Sequence, residues 1–487
     1  LRVGMDVVYN HTSASGQAEN SVLDMIVPGY YQRLDAKGAV EHSTCCENTA
    51  TEHRMMAKLM RDSVALWARD YRIDSFRFDL MGHQPRTAME DVKRVAEAAA
   101  GRSIPILGEG WNFGEIAGNK RFAQAAQGDL NGSGIATFSD RARDALRGGG
   151  CCDSGIDLIA NQGLLNGLDY APNAAAKDKA KANATRKDLL HAADLARSGL
   201  AGTLRDYRTT LADGRVAPLS ALDYKGQPAG YASQPGEVVN YVENHDNPTL
   251  WDVNALKLPQ ATTASERARV QLLGAAFVAF SQGIAYFHAG IDLLRSKSLD
   301  RNSFDSGDWF NRLDWTYADN GFAAGLPPKS DNGKDWALLS PLLRNTAAKP
   351  TPADIAWMRD AFRDLLRIRA SSDVFRFDDA QDVQRRLAFR NIGPAQNPLV
   401  VVGHLDGTGR AGAYREVLYL LNVSPEPQTL LIPEEAGKAY RLHPVLASPN
   451  AADMRPRTQA DYRRADGRFR VPGRTAVVYV INNGEAP

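Results

Sequence analysis

Short apolar runs alternate with amphipathic patterns along roughly the first 300 residues of the chain. The apolar runs predict strands at residues 3–8, 73–78, 104–107, 135–138, 238–242 and 284–287. Between them, apolar side chains recur at helical spacing, as from Met56 to Tyr71 and from Met89 to Ala99. Thr49 and Glu52 predict a capping box ahead of the first of these helices. Such repeated strand and helix units predict a parallel sheet.

Acidic residues follow several of these strands, which is the layout of a (β/α)8 barrel with its chemistry at the carboxyl ends of the strands. We predict an α/β fold in which residues 1–373 form a TIM barrel that lacks its first two βα units in this chain. Residues 150–237 are predicted to be a long excursion over the catalytic face, with a helix near residues 186–197. Separated strand runs then predict a C-terminal antiparallel β-sandwich domain at residues 374–487.

Composition excludes several classes of protein. Lys and Arg (58) nearly balance Asp and Glu (57), so no overall field recruits nucleic acid or an anionic membrane. No run approaches the roughly 20 apolar residues of a membrane span. We expect a monomer that acts on an uncharged molecule. Any targeting segment would lie upstream of Leu1, so these residues do not fix the compartment, although a secreted or periplasmic bacterial protein is favoured.

Four cysteines occur as two adjacent pairs, Cys45 with Cys46 and Cys151 with Cys152. Disulfides within or between the pairs would indicate an oxidising compartment. Two pairs of unlinked loop thiols are an equal alternative. A third alternative is a zinc site built from Cys45, Cys46 and two neighbouring histidines, His42 and His53. The sequence leaves all three open.

Four short segments carry the candidate chemistry. They are residues 6–11 (Asp-Val-Val-Tyr-Asn-His), 76–79 (Phe-Arg-Phe-Asp), 107–111 (Leu-Gly-Glu-Gly-Trp) and 242–247 (Val-Glu-Asn-His-Asp-Asn). A glycosidic bond breaks through a cation-like sugar ring, so the enzyme needs a carboxylate below the anomeric carbon and a carboxylic acid beside the leaving oxygen. Asp79 and Glu109 supply such a pair. At a separation of roughly 5 Å, they would cleave the bond with retention of configuration.

The neighbours of this pair fit the two roles. Arg77 lies two residues before Asp79, so both side chains point to one face of a strand and the cation keeps Asp79 ionised. Apolar neighbours such as Trp111 would favour the protonated form of Glu109. Asp246 is a third carboxylate that would bind ring hydroxyls and favour the charged transition state.

Each of these pieces taken alone is more often structural than functional. An Arg-x-Asp pair is commonly a surface ion pair, a His-Asp pair is commonly a loop hydrogen bond, and a Glu between glycines is commonly a turn. The ordered set, with each piece at the end of a strand, favours an active site.

These segments resemble those of the α-amylase superfamily of retaining glycoside hydrolases. More narrowly, the chain resembles type I pullulanases and limit dextrinases. The narrower match is carried by residues 4–12, 73–82, 108–111 and 245–252, and it extends through residues 287–297 and 306–312.

The resemblance implies hydrolysis of α-1,6 branch linkages in pullulan, amylopectin or limit dextrins. It implies that Asp79 is the nucleophile, Glu109 the acid/base and Asp246 the transition-state stabiliser. It further implies seven substrate-binding residues: His11, Arg77 and His245 at the central subsite, Trp111 and Met81 beyond the cleaved bond, and Asp308 and Arg312 before it. No cofactor is required for this chemistry, and a structural calcium ion is left open because many superfamily members hold one.

The chain departs from the family pattern at two points. The 487 residues do not include the Tyr-Asn-Trp-Gly-Tyr stretch or the N-terminal carbohydrate-binding domains of the family, and Pro248 follows Asn247. Two alternatives therefore stay open. One is another α-glucan enzyme, such as an isoamylase or a glucanotransferase. The other is an inactive protein that binds glucan.

Overall fold

The computed structural model of the chain describes residues 1–178 and 184–484. It divides into two compact units. Unit 1 contains residues 1–138 and 231–239, and unit 2 contains residues 139–230 and 240–487.

Unit 1 is built around a sheet whose strands occur where the apolar runs predict them. Neighbouring strands pair in parallel, with Met5 opposite Phe76, Phe76 opposite Ile106 and Leu107 opposite Ala136. From one edge of this sheet, the first five strands in order are Gly4–Val7, Ser75–Phe78, Ile106–Gly108, Ala136–Ser139 and Val238–Asn240. The predicted parallel sheet is confirmed for the first four of these strands.

Two long helices, Arg54–Arg69 and Arg86–Ala100, cover this sheet. Met60 of the first and Met89 of the second are completely buried in one cluster with Phe76 and Phe78. Each such side chain contributes about 1.5–3 kcal/mol by leaving water. The unit also contains the elements Leu23–Ile26, His11–Thr12, Glu47–Asn48, Met81–His83, Gly114–Ile116 and Pro235–Glu237.

The capping box predicted from Thr49 and Glu52 is wrong. The helix begins at Arg54, and its N-cap residue is His53, which makes no capping bond with its side chain. The Thr49 hydroxyl instead donates to the carbonyl of Tyr9, and Glu52 accepts from Arg33. These partners are distant in sequence, so the local motif did not reveal them.

Unit 2 is a helical layer with antiparallel strands. Its long helices are Arg186–Leu200, which the sequence predicts near residues 186–197, Ala264–Ala279 and Pro352–Ala370. The shorter helices are Asp140–Arg147, Asp157–Ala160, Ala174–Asp178, Leu250–Lys257, Asp308–Asn311, Lys329–Asn332, Trp336–Leu343, Ala380–Arg386, Pro444–Ala447 and Arg455–Gln459. The short strands outside the C-terminal sheets are Arg208–Thr210, Val216–Pro218, Asp223–Tyr224, Gln227–Pro228 and Ile284–Ala285.

The segment predicted as an excursion contributes to the core of unit 2. Helix Arg186–Leu200 starts with a capping box between Thr185 and Asp188, and Leu189 and Leu200 are buried in the main apolar cluster. Residues 179–183 of this segment lie outside the described residues.

The C-terminal part of unit 2 contains two antiparallel sheets, as predicted. The strands of the first are Leu387–Arg390, Val400–Asp406, Tyr414–Asn422, Thr475–Asn482 and Arg441–Leu442, in this order across the sheet. Those of the second are Gln428–Leu431, Arg468–Val471 and Asp461–Arg463. One apolar cluster joins the two sheets, with Leu418 and Val402 from the first and Phe469 and Leu430 from the second. The domain boundary near residue 374 stays a prediction.

Among the described residues, no helix combines the length and apolar character needed to cross a membrane.

A charged cluster lies within the C-terminal sheets. Glu416 accepts from His404 at 3.0 Å and from Lys438 at 2.8 Å, and Lys438 also contacts Glu435 at 2.6 Å. Burial raises the pKa of Glu416, but the bonds from His404 and Lys438 outweigh it and lower the pKa from 4.5 to about 2. Lys438 thus bridges the two carboxylates.

Replacing Glu416 with Gln tests this cluster. Because the carboxylate is more acidic in the folded chain than in the unfolded one, its contribution is complete above pH 4.5 and fades as the pH falls toward 2. We expect Glu416→Gln to cost about 3 kcal/mol of unfolding free energy at neutral pH and progressively less in acid. Denaturant titrations from pH 7 to pH 3 measure the difference. The exposed Glu434→Gln variant is the control, and an equal loss in both variants would contradict the account.

Candidate active site

Strand register brings the predicted residues of unit 1 together. Asp6 pairs directly with Arg77 on the neighbouring strand, and Phe78 pairs with Gly108 on the next. Asp79 and Glu109 are therefore the first residues after one register pair on adjacent parallel strands. Such positions lie roughly 5 Å apart across a sheet.

Arg77 is the centre of this group. Its Nη1 lies 2.9 Å from Asp79 Oδ1 and 3.0 Å from Asp6 Oδ1, while its Nη2 lies 3.3 Å from Glu109 Oε1. Burial lowers the pKa of Arg77, but the carboxylates of Glu109, Asp6 and Asp79 outweigh this and raise it. One guanidinium thus holds three carboxylates. Asp6 lies in the first candidate segment, but the sequence pattern indicates no role for it.

Glu109 is enclosed, with 6% of its surface exposed. Its Oε2 accepts from the backbone N–H of Leu80 at 2.8 Å. Leu80 adopts a left-handed backbone with φ of 40°, a costly conformation for this residue and one typical of functional sites. The two oxygens of Glu109 face the Arg77 guanidinium and the Leu80 N–H group, and the influence of apolar neighbours such as Trp111 stays a prediction.

Two histidines adjoin the carboxylates. Burial lowers the pKa of His11, and the nearby charge of Asp79 opposes the change. Burial also lowers the pKa of His83 to about 4, with opposite influences from Glu115 and Arg33. Both imidazoles are therefore neutral at pH 7. His83 is a residue that sequence reasoning missed.

Close packing explains the glycines beside Glu109. A Cβ on Gly108 would lie 2.6 Å from the carbonyl of Phe78 and 2.8 Å from Met81, and one on Gly110 would lie 2.4 Å from Thr137. Met81 is 0% exposed and packs in the core of unit 1, whereas Trp111 is partly exposed. Burial gives Met81 a packing role, and the contacts of both residues with sugar stay predictions.

A second charged network fixes the loops beside the carboxylates. Arg33 is 1% exposed and donates to Glu52 at 2.8 Å, to Glu115 at 2.9 Å and to the carbonyl of His83 at 2.9 Å. Glu115 also accepts from Ser43. Sequence reasoning missed Arg33 and Glu115, because partners 82 positions apart leave no local pattern.

The cysteines take different forms in the two pairs. Cys45 and Cys46 are joined by a disulfide, and Cys151 and Cys152 are exposed and free, with their sulfurs 2.6 Å apart. His42 contacts Glu47 and His53 contacts the Tyr30 carbonyl, so the zinc set proposed from the sequence does not assemble.

Asp246 and His245 lie in unit 2, on the loop that follows strand Val238–Asn240. The N–H of Asp246 donates to Asn244 Oδ1 at 2.9 Å, and the carboxylate lies 3.6 Å from His245 Nε2. Both side chains are about half exposed, at 47% and 46%. This loop presents its polar groups to solvent.

Buried cations hold that loop. Arg147 donates to the carbonyls of Val242 at 3.2 Å and Pro248 at 2.7 Å, and Lys297 donates to the carbonyl of His245 at 2.7 Å. Burial lowers the pKa of Lys297 to about 8, although Asp252 opposes the change. Lys297 and Asp252 belong to segments that carry the family resemblance, but their supporting role was not predicted.

Pro248 fits into the loop at a sharp turn. Asn247 before it has a positive φ of 62°, and the Pro248 carbonyl serves as the acceptor for Arg147. The departure from the family pattern is thus accommodated. Asp308 and Arg312 lie at the exposed helix Asp308–Asn311, where Arg312 is 3.8 Å from Asp314, and their contacts with sugar stay predictions.

Removing Arg33 tests the loop network. Arg33→Gln leaves the buried Glu115 without its cation, so we expect a loss of about 3–5 kcal/mol of unfolding free energy. The matched control is Arg121→Gln, which removes the more exposed pair with Glu41 and is expected to cost less than about 1 kcal/mol. Denaturant titration measures both values. Equal losses would mean that the Arg33 network does not stabilise the loops.

Known proteins are similar to this chain in sequence and in fold. Residues 317–482 match the family of pullulanase-type α-1,6-glucosidases, C-terminal. The chain is 40% identical to Pullulanase 1, chloroplastic, of Arabidopsis thaliana, over 99% of this chain and 51% of that protein. It is 41% identical to a pullulanase of Klebsiella pneumoniae, over 100% of this chain and 44% of that one.

Solved structures of pullulanases are similar to this chain as well. The crystal structure of PulA from Klebsiella oxytoca matches with a TM-score of 0.93 at 40% identity, over 100% of this chain and 45% of that one. A maltotriose complex of PulA from Klebsiella pneumoniae matches with a TM-score of 0.92 at 40% identity, over 100% of this chain and 51% of that one. The chain spans about half the length of the curated relatives it matches. Over its whole length the chain is thus similar to part of a pullulanase, and residues 317–482 match the C-terminal family of pullulanase-type α-1,6-glucosidases.

Proposed function

We propose that this chain carries the catalytic groups of a retaining glycoside hydrolase that cleaves α-1,6 branch linkages in pullulan, amylopectin and limit dextrins. The observation that carries the proposal is the pair Asp79 and Glu109, placed in register on adjacent strands against the single cation Arg77. Because neighbouring strands lie roughly 5 Å apart, side chains at matched positions can bring their carboxyl groups to the separation of roughly 5 Å that retention requires.

In the first step, Asp79 attacks the anomeric carbon while Glu109 gives its proton to the departing O6 of the neighbouring glucose. The C1–O6 bond breaks, and a glycosyl ester forms on Asp79. In the second step, Glu109 takes a proton from water, and the resulting hydroxide attacks C1 and releases the Asp79 carboxylate. Glu109 thereby regains its proton, so the cycle closes.

The position of Arg77 is consistent with a role for Asp79 as the nucleophile. It lies 2.9 Å from Asp79 and 3.3 Å from Glu109, so its charge favours Asp79 as the ionised nucleophile. The neutral His11 can donate a hydrogen bond to a sugar hydroxyl beside it. The backbone N–H of Leu80 fixes the orientation of Glu109.

The remaining assignments rest on the family resemblance. Asp246 would stabilise the transition state and His245 would bind the same sugar, and the bonds from Arg147 and Lys297 that hold their loop support both roles. Trp111 and Met81 would contact the sugar beyond the cleaved bond, and Asp308 and Arg312 the sugar before it.

We also propose a specific fold for each region of the chain. A (β/α)8 barrel is supported by the parallel strands of unit 1 and by the candidate site at their carboxyl ends. A C-terminal β-sandwich is supported by the cluster shared between two antiparallel sheets. We further propose a monomer that binds α-glucan and needs no cofactor for the chemistry, with a structural calcium ion as an open addition.

Pullulan hydrolysis tests the proposal. Because maltotriose units in pullulan are joined by α-1,6 bonds, we expect maltotriose as the product and a loss of roughly 10³-fold or more in Asp79→Asn. Asp62→Asn, an exposed carboxylate on helix Arg54–Arg69 that pairs with Lys58, is the matched control and should keep full activity. Chromatography of the products measures both.

Other outcomes separate the alternatives. Release of glucose or mixed dextrins instead of maltotriose would contradict the α-1,6 specificity, and longer products would indicate glucan transfer. Retention on insoluble starch with no release of reducing sugar, from a chain that melts cooperatively, would indicate a glucan-binding protein without activity.

A further inference from the structure

Three potential metal ligands converge beside the candidate active site. A ring nitrogen of His11 and the sulfurs of Cys45 and Cys46 all lie within 4.8 Å of one another. The strand pair that places His11 opposite Asn48 brings the two cysteines to this position. Both cysteines are exposed, so ions in solution can reach them.

The loop that carries the cysteines is fixed on two sides. Thr44 Oγ1 lies 2.9 Å from His83 Nε2, and Ser43 Oγ contacts Glu115 while accepting from Asn48 at 2.9 Å. A Cβ on Gly114 would lie 2.1 Å from Ser43 Oγ, so the two loops touch closely there. The sulfurs are therefore held in place near His11.

The buried neighbour Asn10 can orient His11 for metal binding. Its amide nitrogen lies 2.7 Å from His11 Nδ1, and Asn10 is 1% exposed. Among the described residues, Asn10 Oδ1 is buried and has no hydrogen-bond partner. If the amide turns by half a rotation, Oδ1 accepts from Nδ1–H and leaves the lone pair of Nε2 for a ligand.

We propose that Cys45, Cys46 and His11 form a binding site for a soft divalent cation such as Zn²⁺ or Cd²⁺ when the disulfide is reduced. Two thiolates and an imidazole are ligands that these ions prefer over calcium or magnesium. Three protein ligands leave a fourth position to water.

Formation of the site requires reduction. A phosphine reductant converts the disulfide to two thiols by taking up the oxygen of one water molecule, which yields the phosphine oxide and supplies both thiol protons. The cation then binds the two sulfurs and His11, and two protons are released to the solvent.

The consequence for activity rests on the proposed function. His11 is a proposed sugar-binding residue, and the pKa of its imidazole already responds to Asp79. A cation on His11 occupies a ring nitrogen of this proposed sugar-binding residue and adds positive charge near the nucleophile. The reduced protein should therefore be inhibited by zinc, and the oxidised protein should not.

The test is titration of the protein with Cd²⁺, before and after reduction by a phosphine that is then removed under nitrogen. Ultraviolet charge-transfer absorbance reports cadmium–thiolate bonds without any need for activity. We expect one more bound ion per chain after reduction than before it. Because both states have the wild-type sequence, folding of a variant does not affect this comparison.

Variants locate the site. Cys45→Ser/Cys46→Ser should abolish the uptake that reduction adds, and Asn10→Ala should weaken it about 10-fold or more. Cys151→Ser/Cys152→Ser is the matched control, because it removes an equally adjacent pair that no third ligand joins among the described residues. Uptake that survives loss of Cys45 and Cys46, disappears with Cys151 and Cys152, or fails in the reduced wild type would overturn the proposal.

Pullulan hydrolysis with equimolar zinc is the second readout. A loss of about 10-fold or more in the reduced protein, restored by a chelator, is expected if both proposals hold. If the protein hydrolyses nothing in either state, the proposed function fails, and the cadmium titration still decides the metal site.

Discussion

The arrangement of unit 1 depends on one cation with three carboxylate partners. Arg77 lies within 3.3 Å of Asp6, Asp79 and Glu109, which come from three adjacent strands. Three carboxylates this close would repel one another strongly without it, and a buried cation would be costly without them. The strand register that aligns Asp6 with Arg77 and Phe78 with Gly108 is thus linked to the electrostatics of the site. The register places Asp79 beside Glu109, and the shorter contact of Arg77 with Asp79 favours Asp79 as the ionised member of the pair.

A second layer of charge holds the loops that surround this centre. Arg33 connects Glu52, Glu115 and His83, and Glu115 in turn anchors Ser43. The same network that keeps the loop in place positions the cysteines beside His11. In unit 2, the buried side chains of Arg147 and Lys297 likewise fix the loop of Asp246, because they donate hydrogen bonds to its carbonyl groups. In both units, polar side chains of low exposure support residues that face solvent.

The sequence predicts the parts of the fold that have local periodicity. Strands appear where apolar runs occur, and the two-residue spacing of Arg77 and Asp79 correctly predicts their contact. The contacts that it does not predict join residues that lie far apart in the sequence. Thr49 and Glu52 match a helix cap, yet they bond Tyr9 and Arg33. The link from Arg33 to Glu115 and the approach of the cysteines to His11 arise only when loops meet, so no local pattern encodes them.

The central claim is that Asp79 forms the covalent glycosyl intermediate while Glu109 serves as acid and base. The most direct measurement is peptide mass mapping of Glu109→Gln after incubation with α-maltotriosyl fluoride. Fluoride leaves without a proton from Glu109, whereas release of the sugar from the enzyme needs that residue as a base, so the intermediate should accumulate. The account predicts one maltotriosyl group on the peptide that contains Asp79. A sugar on another carboxylate, such as Asp6 or Asp246, would contradict it, as would turnover of the fluoride with no labelled peptide.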